Sequence, residues 1–307
     1  MTLPTSIHNS AVEKAIENAK TLSPFTDADW LLSIKAAAEH IKPSDDKITL
    51  NDVGPKAIAK TIDHTLLKLD ATEAQIRQLC VEAKEDDFMS VCVRLPHVPL
   101  CASLLSASTV LIACVIGFHE GTYSTPTKVA ESIDAVRAGA SELDVVLNWP
   151  ALQSGQYSSI FTELAAIRLA CPHPTTLKII FETSQLSESG ILAACQLAAA
   201  AGFDFVKTST GFNGRGASVR DVQLMRAASK WYASDDGVKL LRKAGKSLGT
   251  KVPMKVKASG GVRTFADAVK MLEIGAERIG ASSGKVIVKE AKEGKTSSGA
   301  AAGAESY

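Results

Sequence analysis

One pattern governs what this chain can fold into. From about Ile58 onward, a short apolar or β-branched run followed by an amphipathic helical stretch recurs eight times. The runs are Ala57–Asp63, Phe88–Val93, Thr109–Ile116, Glu142–Leu147, Leu177–Glu182, Phe203–Thr208, Val252–Lys257 and Glu277–Ala281. Between them lie helix-like stretches such as Thr127–Ala138 and Phe265–Leu272, and several stop at a glycine (Gly139, Gly202, Gly275) before the next run. Strict alternation of strand and helix implies a parallel sheet. Eight such units favour a closed (β/α)8 TIM barrel over an open doubly wound sheet. A barrel takes about 250 residues, so a chain of 307 accommodates one with extensions at both ends.

Residues 1–56 read as an N-terminal helical extension. Ser10 can cap a helix carrying Val12, Ala15, Ile16 and Ala19. Asp27 or Asp29 can open a second, with Trp30, Leu31, Ile34, Ala37, Ala38 and Ile41 at helical spacing, before Pro43-Ser44-Asp45-Asp46 breaks the pattern. Residues 57–289 form the barrel, and residues 290–307, rich in Gly, Ala, Ser and Lys, read as a flexible C-terminal tail ending in Tyr307.

The composition is globular, with 46% hydrophobic and 22% charged residues and a net charge of +1, which advertises neither nucleic acid nor an anionic membrane as a partner. The longest apolar stretch, Ile191–Phe203, is interrupted by Gln196 and too short to span a bilayer. The N-terminus carries several acids and no arginine before Arg77, unlike a transit peptide, so a cytoplasmic protein is expected. Six cysteines fall mostly in apolar runs without zinc-ligand spacing, and read as buried reduced thiols; no metal site is expected.

In such a barrel the site lies at the C-terminal ends of the strands. Asp63, Asp144 with Glu142, Glu182 with Lys178, Lys207, and Lys257 with Lys255 put an unusual polar load on strands that should read as hydrophobic. Lys255 either faces inward below Lys257 or pairs with Glu182 or Asp144. An internal ion-pair network holding the barrel is the bland account, and Lys178, Glu142 and Glu182 suit it. The chemical account starts from the amine. At the ordinary lysine pKa of about 10.4, roughly one amine in 2,500 is neutral at pH 7, and only that form attacks a carbonyl. A second ammonium about 6 Å away, at an effective dielectric of about 20, disfavours protonation by about 3 kcal/mol, some two pKa units. Two lysines on adjacent strands thus make one a usable nucleophile, and a carboxylate within reach can move protons.

Small residues follow the same strands. Thr208-Ser209-Thr210-Gly211, Ser259-Gly260-Gly261 and Gly280-Ala281-Ser282-Ser283-Gly284 leave backbone N–H groups exposed near helix N-termini, which suits a phosphate, and Arg263 adds charge. Gly211-Phe212-Asn213-Gly214-Arg215-Gly216 lacks the spacing of a dinucleotide fingerprint.

Four strings, in order, carry a family resemblance: Asp63-His64-Thr65-Leu66-Leu67, Glu142-Leu143-Asp144-Val145-Val146, Phe205-Val206-Lys207-Thr208-Ser209-Thr210-Gly211 and Val256-Lys257-Ala258-Ser259-Gly260-Gly261-Val262-Arg263. Together they resemble the deoxyribose-phosphate aldolases. The resemblance implies reversible cleavage of 2-deoxy-D-ribose 5-phosphate to acetaldehyde and D-glyceraldehyde 3-phosphate without metal or cofactor, in an enzyme able to form a homo-oligomer such as a dimer. It implies that Lys207 is the Schiff-base lysine, Lys257 the second lysine that tunes it, and Asp144 the proton relay. By the same resemblance Asp63 lies near the substrate hydroxyls, and Gly211, Gly260, Gly261, Ser282 and Ser283 belong to the phosphate loops, with Thr210 and Arg263 beside them. Two positions depart from the pattern: Phe212 stands where some members have lysine, and Gly117-Phe118-His119 where many have Phe-Pro, which makes His119 a loop histidine with an open role. Tyr307 on the tail has two readings: a disordered end of no consequence, which is favoured, or a residue that folds over the site and assists proton transfer. The rival readings are another imine-forming aldolase or transaldolase, a pyridoxal-phosphate enzyme, and a non-catalytic sugar-phosphate binder. Borohydride trapping with acetaldehyde separates the last from an enzyme.

Overall fold

The computed structural model describes residues 5–294, and Tyr307 with the rest of the expected tail from residue 295 lies outside them. Eight parallel strands close into a barrel in sequence order: β1 (Ile62–Thr65), β2 (Ser90–Val93), β3 (Leu111–Ile116), β4 (Glu142–Val146), β5 (Thr176–Ile180), β6 (Phe205–Lys207), β7 (Lys255–Ser259) and β8 (Arg278–Ala281). Helices α1 (Thr5–Lys20), α2 (Asp27–Ala38) and α3 (Pro55–Ala59) precede β1. The crossovers hold α4 (Glu73–Glu85), α5 (Val98–Leu105), α6 (Thr125–Ala138), α7 (Trp149–Gln153), α8 (Tyr157–Ala170), α9 (Glu188–Ala200), α10 (Val219–Ala233), α11 (Asp235–Lys243) and α12 (Phe265–Glu273), and α13 (Gly284–Lys292) follows β8.

The sequence boundaries need four corrections. Residues 57–59 belong to helix α3, because Gly54 and Pro55 start a helical turn there, so β1 begins only at Ile62 and Asp63 lies within it. Ser10 sits inside α1, which starts at Thr5. The second helix is capped by Thr26, whose hydroxyl accepts from the Asp29 N–H while the Asp29 carboxylate accepts from Thr26. Residues 290–292, assigned to the tail, complete the last turn of α13.

Two faces of the sheet bury different chemistry. Outward residues such as Val91, Cys114, Leu143, Ile179 and Val206 join the helices in the main apolar core. Inward residues Cys92, Ala113, Val115, Val146 and Ile180 form a separate small cluster with Leu67 and Phe118. All six cysteines are buried and unpaired by disulfide. Among the described residues no helix is long and apolar enough to cross a membrane.

The N-terminal segment wraps the barrel rather than standing apart. α1 packs on α8 and α6, and α2 on α9 and α8. The stretch after α2 crosses to α10 and α12 through Gln223 to Asp45 and the Ile48 N–H to Glu273 O, and α3 then meets α13. Trp30 anchors this wrap: it is fully buried between Phe25 and Phe161, with ring centroids 5.4 and 5.2 Å away. Trp30→Ala should therefore cost about 3–5 kcal/mol in denaturant unfolding, while kcat and KM at 25 °C stay near those of the parent because no described residue of the wrap reaches the barrel mouth.

Candidate active site

Side chains alternate along a strand, so each short strand sends one or two groups inward. The register puts Lys207 beside Lys257, and Lys178 beside Asp144. Their charges converge on the Asp144 carboxylate. Lys207 Nζ and Lys257 Nζ each lie 2.7 Å from Asp144 Oδ2, so the two nitrogens are separated by no more than twice that distance. Lys178 Nζ donates to Asp144 Oδ1 at 2.8 Å and to Glu142 Oε2 at 2.6 Å. Asp63 accepts from Lys257 on one oxygen and from Arg278 at 2.7 Å on the other, and Arg278 also reaches Glu142 Oε2 at 3.0 Å.

The two lysines are not equivalent. Lys257 has Asp144 and Asp63; burial alone would favour its neutral amine, but the two carboxylates outweigh burial and push its pKa above the ordinary lysine range. Lys207 shares only Asp144. Burial and the neighbouring Lys257 cation together outweigh that carboxylate, and its pKa falls. Asp144 is itself buried, which favours protonation, yet the surrounding lysines hold it far below the usual carboxylate range. One anion, a fixed cation and a more readily neutralised amine thus meet at one point.

Above this layer opens a cavity of about 400 Å³ at the C-terminal ends of the strands, and Lys207 lines it. Lys257 does not: it is fully buried beneath. Thr210, Gly211, Gly260, Arg263, Ser282 and Ser283 line the same cavity, while Gly261 continues the turn at positive φ without lining it. Gly211 adopts φ 88°, where a side chain would be strained. Asp63 lies below the cavity, where it steadies Lys257.

Two expected placements differ, those of Lys255 and Glu182. Lys255 is exposed at the start of β7, with Nζ 5.8 Å from the centre of the Phe205 ring, and pairs with neither Glu182 nor Asp144. Glu182 leaves β5 with a left-handed φ of 56°, so its carboxylate turns away from Lys178 to the Thr210 N–H and hydroxyl. His119 stacks on Phe212 at 5.0 Å, with Phe118 edge-on to the same ring. Arg278 is the residue sequence reasoning passed over: it enters from the N-terminal end of β8, where no search for strand-end charges would look. Its alternation with the inward Gly280 was the available signal. Gly280 matters too, since a Cβ there would collide with Ser259 Oγ and lie 3.0 Å from Lys257 Cε.

Known proteins place this arrangement. Residues 57–290 match the family described as DeoC/LacD family aldolase. A deoxyribose-phosphate aldolase of Coccidioides immitis (strain RS) is 48% identical over 238 residues, covering 78% of this chain and 82% of the relative. A solved Coccidioides immitis structure, described as a candidate deoxyribose-phosphate aldolase, superposes with TM-score 0.78 at 44% identity, over 88% of this chain and 100% of that one. A deoxyribose phosphate aldolase from Aeropyrum pernix, described as tetrameric, gives TM-score 0.65 at 27% identity over 87% of this chain and 99% of its own. The chain belongs to the DeoC/LacD family of aldolases.

Proposed function

We propose that this chain is a class I aldolase that reversibly cleaves 2-deoxy-D-ribose 5-phosphate to acetaldehyde and D-glyceraldehyde 3-phosphate. The observation that carries the assignment of roles is the asymmetry of the lysine pair: Lys207 lines the cavity, and Lys257 lies beneath it bound to two carboxylates.

Neutral Lys207 attacks the C1 aldehyde of the open-chain sugar, and loss of water leaves a protonated imine. Asp144, directly or through one water, takes the proton of the C3 hydroxyl as the C2–C3 bond breaks and its electron pair moves toward the imine nitrogen. D-glyceraldehyde 3-phosphate leaves. The remaining enamine is protonated at C2, and hydrolysis of the imine frees acetaldehyde and Lys207. Gly211, Gly260, Ser282 and Ser283 hold the phosphate with backbone N–H groups and hydroxyls, Gly261 completes the turn that presents Gly260, Arg263 adds positive charge, and Thr210 borders the sugar. Asp63 keeps Lys257 in place. The reading extends to a cytoplasmic enzyme acting as a dimer on small molecules; sedimentation decides between that dimer and a larger assembly.

Borohydride reduction in the presence of acetaldehyde should attach an ethyl group to Lys207, located by peptide mass spectrometry. Lys207→Leu should lose both the label and at least about a thousandfold in kcat. Labelling at another lysine alone would refute the assignment.

The pH profile tests Lys257. The reactive form of Lys207 is neutral, so kcat/KM should rise with pH and level off below the range of a free lysine, because the Lys207 pKa is lowered. Lys257→Leu removes the repelling cation and leaves Asp144 more fully to Lys207, so that limb should move toward alkaline pH by about one unit or more. An unmoved limb would show that Lys257 does not tune the nucleophile.

A further inference from the structure

Ser282 and Ser283 reach the cavity from the loop between β8 and α13, and a loop that meets a phosphate must be held still against it. We infer that His64 is the positioning residue of this loop, a buried wedge pinned by Glu82 that fixes where Ser282, Ser283 and the start of α13 stand. The inference rests on the phosphate reading given above, and deepens it.

Strand alternation sends Asp63 into the barrel and its neighbour His64 outward, beneath α4 and α13. His64 is 3% exposed. Its Nε2 donates to Glu82 Oε2 on α4 at 2.7 Å. The ring tilts against Phe88, with centroids 4.8 Å apart. On the other side it faces the backbone of Ala281, which is also its register partner on β8. Its Nδ1 lies 2.8 Å from the position a Cβ on Gly284 would take. His64 therefore touches the residue before Ser282 and the residue after Ser283.

The contact is tight for a reason. Gly284 is the first residue of α13, and only a residue without a side chain lets the helix start so close to the imidazole. Ser283 stands at the N-cap but makes no side-chain cap bond, so its hydroxyl is not consumed by the first turn of its own helix. The helix is tied elsewhere as well: Lys285, the residue after Gly284, lies 3.0 Å from Asp86, and Lys292 in the last turn 2.7 Å from the same carboxylate. Those pairs, exposed at the lysines and buried at Asp86, fasten α13 to the end of α4, while the imidazole of His64, held by the half-buried Glu82, packs against its first residue. Burial favours the neutral imidazole and outweighs the pull of Glu82, so the ring adds no charge of its own beneath the loop.

A role in positioning a phosphate loop separates from general structural support by substrate. In His64→Asn, KM for 2-deoxy-D-ribose 5-phosphate should rise about tenfold with kcat within about twofold, while kcat/KM for unphosphorylated 2-deoxy-D-ribose stays unchanged. Glu82→Gln, which keeps the shape of the partner, should move KM in the same direction by a smaller factor, and it carries the test should His64→Asn fail to fold. Ser283→Asp serves as the control on the underlying reading, because it sets a like charge against the phosphate. If Ser283→Asp leaves KM for the phosphorylated sugar unchanged, the phosphate is not bound there and both fall. If Ser283→Asp raises that KM but His64→Asn and Glu82→Gln do not, or if they lower activity on both sugars equally, the positioning role alone is overturned.

Discussion

The structure turns on a single carboxylate that three ammonium groups share. Asp144 accepts from Lys178 on one oxygen and from Lys207 and Lys257 on the other. Burying charge in a barrel is costly unless every charge is met. Asp63, Glu142 and Asp144 are the anions of this cluster, and Lys178, Lys257 and Arg278 balance them. Lys207 is the fourth cation. Its protonated form leaves the cluster with an excess positive charge out of water, and its neutral form leaves it balanced. The same accounting that lets the barrel fold around ions therefore favours an uncharged amine at the cavity.

That balance depends on how the layers stack. A (β/α)8 barrel is usually filled by branched apolar side chains, and here the lower interior is ionic. Arg278 sits at the bottom with its guanidinium 5.2 Å from the centre of the Phe205 ring, a face that suits a weakly hydrated cation. Lys178 bridges Glu142 and Asp144, and Asp144 in turn meets the two lysines. Apolar groups fill the β2–β5 side, as Cys92, Ala113, Val115, Val146 and Ile180. Gly280 keeps the opposite side open, so Lys257 can extend across β8 toward Asp63.

The sequence made some of this readable and hid the rest for definite reasons. Eight alternating runs determine a closed barrel because each run is too short to do anything but pair with its neighbours. Lys207 and Lys257 stood out because a cation at the end of a buried strand has no innocent place to go. Lys255 looked equivalent to Lys257 by alternation, yet two residues along a strand is also one step out of the barrel, and at the N-terminal rim that step reaches solvent. Arg278 was hidden by the converse effect: it begins its strand, but its long side chain carries the charge inward. Helix α3 was misread because Ala57, Ile58 and Ala59 are apolar in either state, and only the preceding Gly54-Pro55 distinguishes them. The task of His64 is not legible in its motif, since its partners Glu82 and Gly284 are separated from it in sequence and meet it only through the packing of α4 and α13.

The two-sided cavity bears on the proposed chemistry beyond the lysines. Gly211, Gly260, Ser282 and Ser283 line the cavity toward β6–β8, while Leu66, Leu67 and Phe212 line it with apolar groups, and Leu67 and Phe212 are backed by the buried apolar cluster of β2–β5. Lys207 is the register neighbour of Ile180, so it stands at the seam between the halves. A substrate held by its phosphate on the polar side presents its unphosphorylated end at this seam. The two-carbon fragment left on the nitrogen has no hydroxyl to satisfy, and an apolar wall leaves no polar group unpaired against it. Water is needed to release that fragment as acetaldehyde, and in the reverse direction would discharge it before the acceptor aldehyde arrives. An apolar lining that offers water few hydrogen-bonding sites, beside a polar face suited to a departing phosphate, separates those two demands in space.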